Sequence, residues 1–216
     1  MIISFSGMDG TGKTYHSTEL YKKLASKGVT VRYIHMMSED VDYTIIRYLL
    51  LLVIKAHLGV TTSKGEVQTR APKNPVVRTI WPLLALLDYL VTFLTRIRPL
   101  AKNGVLICDR CYYDYLASFY ALGITNDWSL ALSMKFIPKS DQTFFLDSDV
   151  DVAFKRIKGE LSPEYLGRLR VAYIKMIRML DPTPKVLNTV KDRDFISTKI
   201  FEDSCTLLGL NTETHQ

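Results

Sequence analysis

The stretch GMDGTGKT, residues 7–14, follows the apolar run MIISFS at the start of the chain. Its Gly7, Gly12, Lys13 and Thr14 satisfy the spacing G-x-x-x-x-G-K-[ST]. Glycines at those positions let the backbone bend closely around a phosphate, so that successive N–H groups point inward. The lysine reaches the outer phosphates of a nucleoside triphosphate, and the hydroxyl ligates Mg²⁺. The helix that follows aims its positive N-terminus at the same anion. A short buried strand before the loop and a helical pattern from Lys13 to about Ala25, stopped by Gly28, supply the context that the motif requires. Gly7, Asp9, Gly10, Thr11, Gly12, Lys13 and Thr14 are therefore the expected cradle for ATP and Mg²⁺.

The rest of the chain repeats the alternation that such a loop implies. Further β-rich runs are expected at 29–36, 104–109, 142–147 and 185–190. Helical patterns cover about 13–25, 41–58, 76–97, 112–122 and 128–136, with others starting near Val150 and Pro163 and a last one ending near Leu208. Continuous apolar strands alternating with helices predict an α/β, three-layer fold, with a five-stranded parallel sheet covered by helices on both faces. No linker rich in Gly, Ser or Pro divides the sequence, so residues 1–216 are expected to form one domain. The runs IIRYLLLLVI and IWPLLALLDYLVTFL are greasy but too short or too interrupted to span a membrane, and are expected as buried helices, with a subunit interface as one place for them. The net charge of +6 favours an anionic partner. A nucleotide meets that need, and no polybasic run points to nucleic acid. Three cysteines, with a single C-x-x-C at Cys108 and Cys111 and no recognisable signal peptide, suit a reducing cytoplasm better than a disulfide framework or a zinc pair.

Phosphate loops serve switches, motors and small kinases. The chain lacks the N-K-x-D segment of a guanine-reading switch. Its third strand ends in CDRC, with an arginine beside the aspartate, rather than in the adjacent carboxylates of a motor. Asp109 at a strand tip can hold a water of the Mg²⁺ shell, and Arg110 can grip a second phosphate; a structural ion pair is the plainer alternative. Carboxylate beside cation suits transfer to an anionic acceptor better than hydrolysis.

GMDGTGKT, DRCYYDYLA and FFLDSDVDVAFKRIKGEL, in that order and spacing, resemble the thymidylate kinase family of nucleoside monophosphate kinases. Members typically read G-x-D-G-x-G-K-[ST], then D-R-Y, then a strand ending in L-D whose helix leads into a mobile lid. The likeness covers roughly residues 1–27 and 104–173, with Tyr173 where a tyrosine is common at the exit of the lid. It implies phosphorylation of a nucleoside monophosphate, most readily dTMP; the apolar helices are expected to pair two copies as a homodimer. It places Asp9 near the acceptor, Lys13 and Thr14 on ATP and Mg²⁺, and Asp109 and Arg110 between the metal and the acceptor phosphate. A short lid at about 156–168 would carry Arg156 and Lys158 over the donor; a solvated helix end is the alternative for those two.

Three departures from the family pattern stand out. YIHMMSED replaces the arginine and P-G-G-T-like segment expected after the second strand. Tyr89 follows Asp88 where A-D-R is common, and could stack on a base or fill the core. The lid reads KGELSP rather than the bacterial R-G-E-L-D-R, and Gly10 stands where a phosphate-loop arginine would. The cation that steadies the transferring group must then come from Arg156, Lys158, Arg168 or Arg170. Arg70 and Arg78 could replace the acceptor arginine or serve as ordinary surface residues. A nucleoside or other small-metabolite kinase on the same scaffold, or a weakly catalytic nucleotide-binding regulator, are the competing functions.

Overall fold

Residue alternation along three strands explains both layers of the core. In the computed structural model, which describes residues 1–36, 75–180 and 184–210, β1 (Ile2–Gly7) and β3 (Val105–Asp109) are buried along their whole length. β4 (Gln142–Asp147) is buried in its middle. Successive side chains of a strand face opposite ways. Ile3, Phe5, Ile107, Phe144 and Leu146 therefore meet one helical layer, with Leu20, Leu24, Ile196 and Ile200. Ile2, Leu106, Cys108 and Phe145 meet the other, with Leu116, Leu130, Leu166 and Met176. Each fully buried Leu, Ile or Phe contributes about 1.5–3 kcal/mol by leaving water.

The described elements run in order. α1 (Lys13–Ser26) follows β1, and β2 (Val31–His35) follows α1. After residues outside the described part come α2 (Pro75–Thr92), a π-helical turn (Phe93–Ile97) and α3 (Arg98–Ala101). β3, α4 (Tyr112–Ala121), α5 (Asp127–Phe136) and β4 follow. α6 (Val150–Arg156), α7 (Pro163–Met179), β5 (Lys185–Asn188) and α8 (Arg193–Leu208) complete the described chain. The sheet order is β2-β3-β1-β4-β5, with every pairing parallel. α1 and α8 cover one face, and α2, α4, α5 and α7 the other. β1 stands at the centre, and the chain builds outward first on its β3 side and then on its β4 side. The crevice beyond the carboxyl ends of the strands is where open sheets of this kind bind ligands.

The expected five-stranded α/β architecture is thus the observed one. Two boundaries differ for local reasons. The apolar helix expected to run unbroken over 76–97 gives way at Phe93 to a π-helical turn, closed by the Arg98 N–H on the Phe93 carbonyl. Pro99 follows directly; it has no N–H to give Thr95, and the wider turn absorbs the break. β5 stops at Asn188 rather than at residue 190, because the Asn188 side chain accepts from the Val190 N–H at 2.9 Å and turns the chain. The helix expected over 41–58, which contains the first greasy run, lies outside the described residues. Among the described residues no helix is long and apolar enough to cross a membrane.

Candidate functional site

Backbone geometry shapes the loop between β1 and α1. Gly7, Gly10 and Gly12 take φ of 146°, 82° and 85°, in the range that L side chains avoid. A Cβ at Gly7 would lie 2.2 Å from the Leu146 carbonyl oxygen, and one at Gly10 would lie 2.6 Å from that of Ala153. Gly10 therefore cannot become the phosphate-loop arginine of other kinases without moving α6. Thr11 is buried and closes the loop by donating to the Met8 carbonyl at 2.8 Å. Gly12 caps α1 with no side-chain hydrogen bond, and the first turn carries no acid. The N–H groups and positive end of α1 are thus left for an external anion.

Lys13 is buried, and its Nζ donates to the carbonyls of Gly7 at 2.6 Å and Met8 at 2.7 Å. Burial lowers its pKa, with the Arg110 charge acting the same way against the opposing pull of Asp9, Asp114 and Asp109. Those two carbonyls are partners that a phosphate can replace.

Three side chains from two elements converge on Asp109, which is fully buried at the tip of β3. One of its oxygens, Oδ2, accepts from Thr14 Oγ1 at 2.6 Å, from His35 Nδ1 at 2.8 Å and from the Tyr33 hydroxyl at 3.0 Å. The other, Oδ1, is buried without a hydrogen-bond partner among the described residues. A buried carboxylate oxygen in that state beside the Thr14 hydroxyl suits the hydrated shell of a divalent cation.

Arg110 turns the chain away from the strand at φ 69°, an uncommon value for a residue with a side chain. Its guanidinium pairs with Asp9. Burial works to raise the Asp9 pKa, but the charges of Lys13 and Arg110 and the Arg110 hydrogen bond hold it below the usual carboxylate range. Arg110 itself is held charged by Asp9 and Asp114 against the cost of its burial.

Among the four basic residues offered for the missing cation, Arg156 lines the cleft. It donates to the carbonyls of Gly10 at 3.3 Å and Thr189 at 2.9 Å, bridging the phosphate loop and the end of β5. Arg170 is engaged by both oxygens of Asp147, at 2.9 and 2.8 Å. Arg168 bonds the Glu164 carbonyl of its own helix. Lys158, at φ 53°, sits with Gly159 in the turn between α6 and α7, near the start of the segment expected as a lid, whose residues from Pro163 on are the first turns of α7. Tyr89 is buried and stacked on Tyr112 at 4.7 Å between ring centres, which places it in the apolar core. Arg70 lies outside the described residues, as does the side chain of Arg78.

The cleft, about 460 Å³, also has a wall that the motifs did not reveal: Tyr15, His16, Thr189, Lys191 and Arg193. The Arg193 guanidinium lies 4.6 Å over the Tyr15 ring. His16 bonds Ser197 Oγ at 2.9 Å, and burial pushes its pKa down to about 4. One sequence signal was available, a basic KDR just after the fifth strand, at the carboxyl edge of the sheet. Tyr33 and His35 had no such signal, because their meeting with Asp109 depends on β2 pairing beside β3. The thiols of Cys108 and Cys111 are free and buried, and burial pushes Cys108 up to about 12. Among the described residues no cluster of three or more His, Cys, Asp or Glu is arranged to hold a metal unaided.

No protein-family model matches the chain. Curated relatives do. It is 28% identical over 180 residues to the thymidylate kinase of Rickettsia typhi, covering 81% of this chain and 78% of that one. It is 27% identical over 217 residues to a probable thymidylate kinase of Thermococcus kodakarensis, covering 97% and 99%. Among solved structures, thymidylate kinase from Ehrlichia chaffeensis superposes with a TM-score of 0.61 at 20% identity, over 94% of this chain and 98% of that one. That structure shares the fold, while the likeness to the curated sequences runs through nearly the whole length of the chain. With its phosphate-loop motif present and its lid and second-strand motifs altered, the chain is similar to thymidylate kinases over most of its length, as a divergent relative.

Proposed function

We propose that this protein transfers the γ-phosphoryl group of ATP to a nucleoside monophosphate, converting dTMP to dTDP. The observation that carries this reading is the pairing of Arg110 with Asp9, across from the uncapped phosphate loop. It sets a ready cation for a second anion beside the first. The identity of the acceptor rests on the names of the relatives, thymidylate kinases throughout.

The residues divide the work. The N–H groups of residues 10–14 and the α1 terminus hold the donor phosphates, and Lys13 exchanges its loop carbonyls for them. Arg110 leaves or shares Asp9 to bind the acceptor phosphate, while Asp9 approaches the acceptor sugar. Arg156, already beside Gly10, supplies the cation for the transferring group. Phosphoryl transfer asks chiefly for this positioning and charge neutralisation. Thr14 and the free oxygen of Asp109 suit Mg²⁺, which when bound supplies charge to the β- and γ-phosphates. Arg193 and Tyr15 offer a flat cationic and aromatic surface for the donor base. The segment 156–168, with Lys158 in the turn that joins α6 to α7, closes over the donor and excludes water, so that transfer outruns hydrolysis. One domain spans residues 1–216, works in the cytoplasm, and pairs with a second copy through apolar helices such as α2 and the π-helical turn after it, where Leu83, Leu87 and Leu94 are exposed.

An acceptor panel with Mg·ATP, scored for ADP and phosphorylated product, tests the reading. dTMP should stimulate turnover most. Stimulation by thymidine instead would make this a nucleoside kinase, and tight ATP binding without product from any acceptor would make it a regulator.

A further inference from the structure

Beneath the phosphate loop lies a buried carboxylate that the proposed reaction does not use. Asp114 is 1% exposed and stands in the first turn of α4, where it forms a capping box with Cys111. Its Oδ2 accepts from the Cys111 N–H at 2.9 Å and from Ser6 Oγ at 2.7 Å. Its Oδ1 accepts from the Tyr173 hydroxyl at 2.8 Å and, more weakly, from the Gly7 N–H at 3.4 Å. Because Ser6 spends its proton on Asp114, the Cys111 thiol at 3.1 Å donates to the Ser6 oxygen. Tyr173 is buried, and both burial and the Asp114 charge push its phenol well above the usual range, so it remains a donor.

These bonds join separate parts of the site. Ser6 and Gly7 end β1 and open the phosphate loop; Cys111 follows Arg110; Tyr173 belongs to α7, the helix beyond the lid segment. The Cys111 N–H closes the peptide unit that begins at Arg110. Holding that amide fixes the backbone just where Arg110 turns left-handed. The Asp114 charge also favours the charged forms of Arg110 and Lys13.

We infer that Asp114 is a positioning residue for Arg110, and that Tyr173 clamps it to α7. The inference rests on Arg110 being the acceptor-phosphate residue proposed above. An ordinary helix cap would need the Cys111 bond alone. It would not need a tyrosine from α7 and a serine from β1 on the same carboxylate. An amide cannot replace the acid without loss. Each oxygen carries a backbone N–H, so the asparagine NH₂ meets one in either orientation.

The test uses Asp114→Asn and Tyr173→Phe in the full chain, with steady-state kinetics for dTMP and ATP. Arginine side-chain ¹⁵N spectra are recorded in parallel, the Arg110 signal being assigned by its loss in Arg110→Lys. Asp114→Asn should raise the dTMP KM about tenfold or more, leave the ATP KM within about threefold, and shift or broaden the Arg110 signal. Tyr173→Phe should do the same to a smaller degree. A lower melting temperature with unchanged dTMP KM and unchanged Arg110 signal would reduce Asp114 to a cap and overturn the inference, as would an equal rise in both KM values. If Asp114→Asn does not fold, Tyr173→Phe decides. If the wild-type protein phosphorylates no acceptor, the functional reading fails, and the Arg110 signal still decides whether Asp114 positions it.

Discussion

The two halves of the cleft are made of different material. Around the loop of residues 7–14, main-chain carbonyls, glycine conformations and a bare helix terminus do most of the shaping, within a few residues of one another. Around the tip of β3, side chains do it, and they arrive from far apart. Asp9 meets Arg110, Thr14 and His35 meet Asp109, and Ser6 and Tyr173 meet Asp114. A site of the first kind tolerates change elsewhere in the chain, because its parts are covalently close. A site of the second kind drifts as soon as one of its elements is altered. The departures from the family pattern fall accordingly, in the second-strand segment, the A-D-R position and the lid, while the phosphate loop stands intact.

Substitutions can break this contrast, and the largest effect belongs to the loop. Lys13→Ala removes the buried loop side chain proposed to reach the outer phosphates. It should lower kcat about 10²–10³-fold, read as ADP formed with dTMP and ATP both saturating. A loss below tenfold would mean that the loop binds nucleotide without helping transfer. Arg110→Ala comes next. Loss of a charge-assisted contact of about 1.5–3 kcal/mol should raise the dTMP KM about tenfold to 10²-fold, with ATP binding by calorimetry largely kept. Equal loss of both would make the two halves a single unit.

The same variant carries a pH signature. Asp9 binds its proton less readily in the folded than in the unfolded chain, its pKa lying below the ordinary 3.8. The stability from its pairing is therefore present above the unfolded value and is lost as pH falls through the folded one. Arg110→Ala removes a charge that lowers the folded pKa, so the window between the unfolded and folded values narrows and the acid-side loss in a urea-unfolding series should be smaller and end at a higher pH. An unchanged pH profile would show that Lys13 alone sets the Asp9 charge.

Gly10→Arg sharpens the comparison differently. It restores a phosphate-loop arginine on paper, yet puts a Cβ 2.6 Å from a backbone oxygen at φ 82°. A stability loss of at least about 1–3 kcal/mol is expected, with no gain in kcat. A faster, equally stable variant would show that α6 yields easily. The smallest effect belongs to the thiols. Cys108 and Cys111 are buried, so a thiol reagent at neutral pH should leave both unmodified in the native protein, and rapid labelling would expose an opening of the α4 face.

How much of this was legible beforehand follows from the range of each contact. The strands at 142–147 and 105–109 and the helix from Lys13 were readable because continuous apolar runs and helical spacing are local signals. The π-helical turn after Thr92 was less so, since it needs Pro99 and the packing around it at once. Arg156, Arg168 and Arg170 were equivalent as letters. A hydrogen bond to the Gly10 carbonyl, one to a carbonyl of its own helix and a bidentate bond to Asp147 separate them in three dimensions. Asp114 lay inside DRCYYDYLA as one more helical acid, and beside the local Cys111 N–H its partners Ser6, Gly7 and Tyr173 come from distant parts of the chain.

By itself the sequence determined the parallel α/β architecture and the triphosphate loop, because strand burial, helix periodicity and the glycine spacing are properties of neighbouring residues. Tertiary structure alone decided which carboxylate oxygen is left free for a cation, which arginine reaches the cleft and why Gly10 must stay a glycine. Those outcomes depend on where β2, β3, α6 and α7 come to rest against β1. That placement is set by the summed burial of two helical layers and by no single motif.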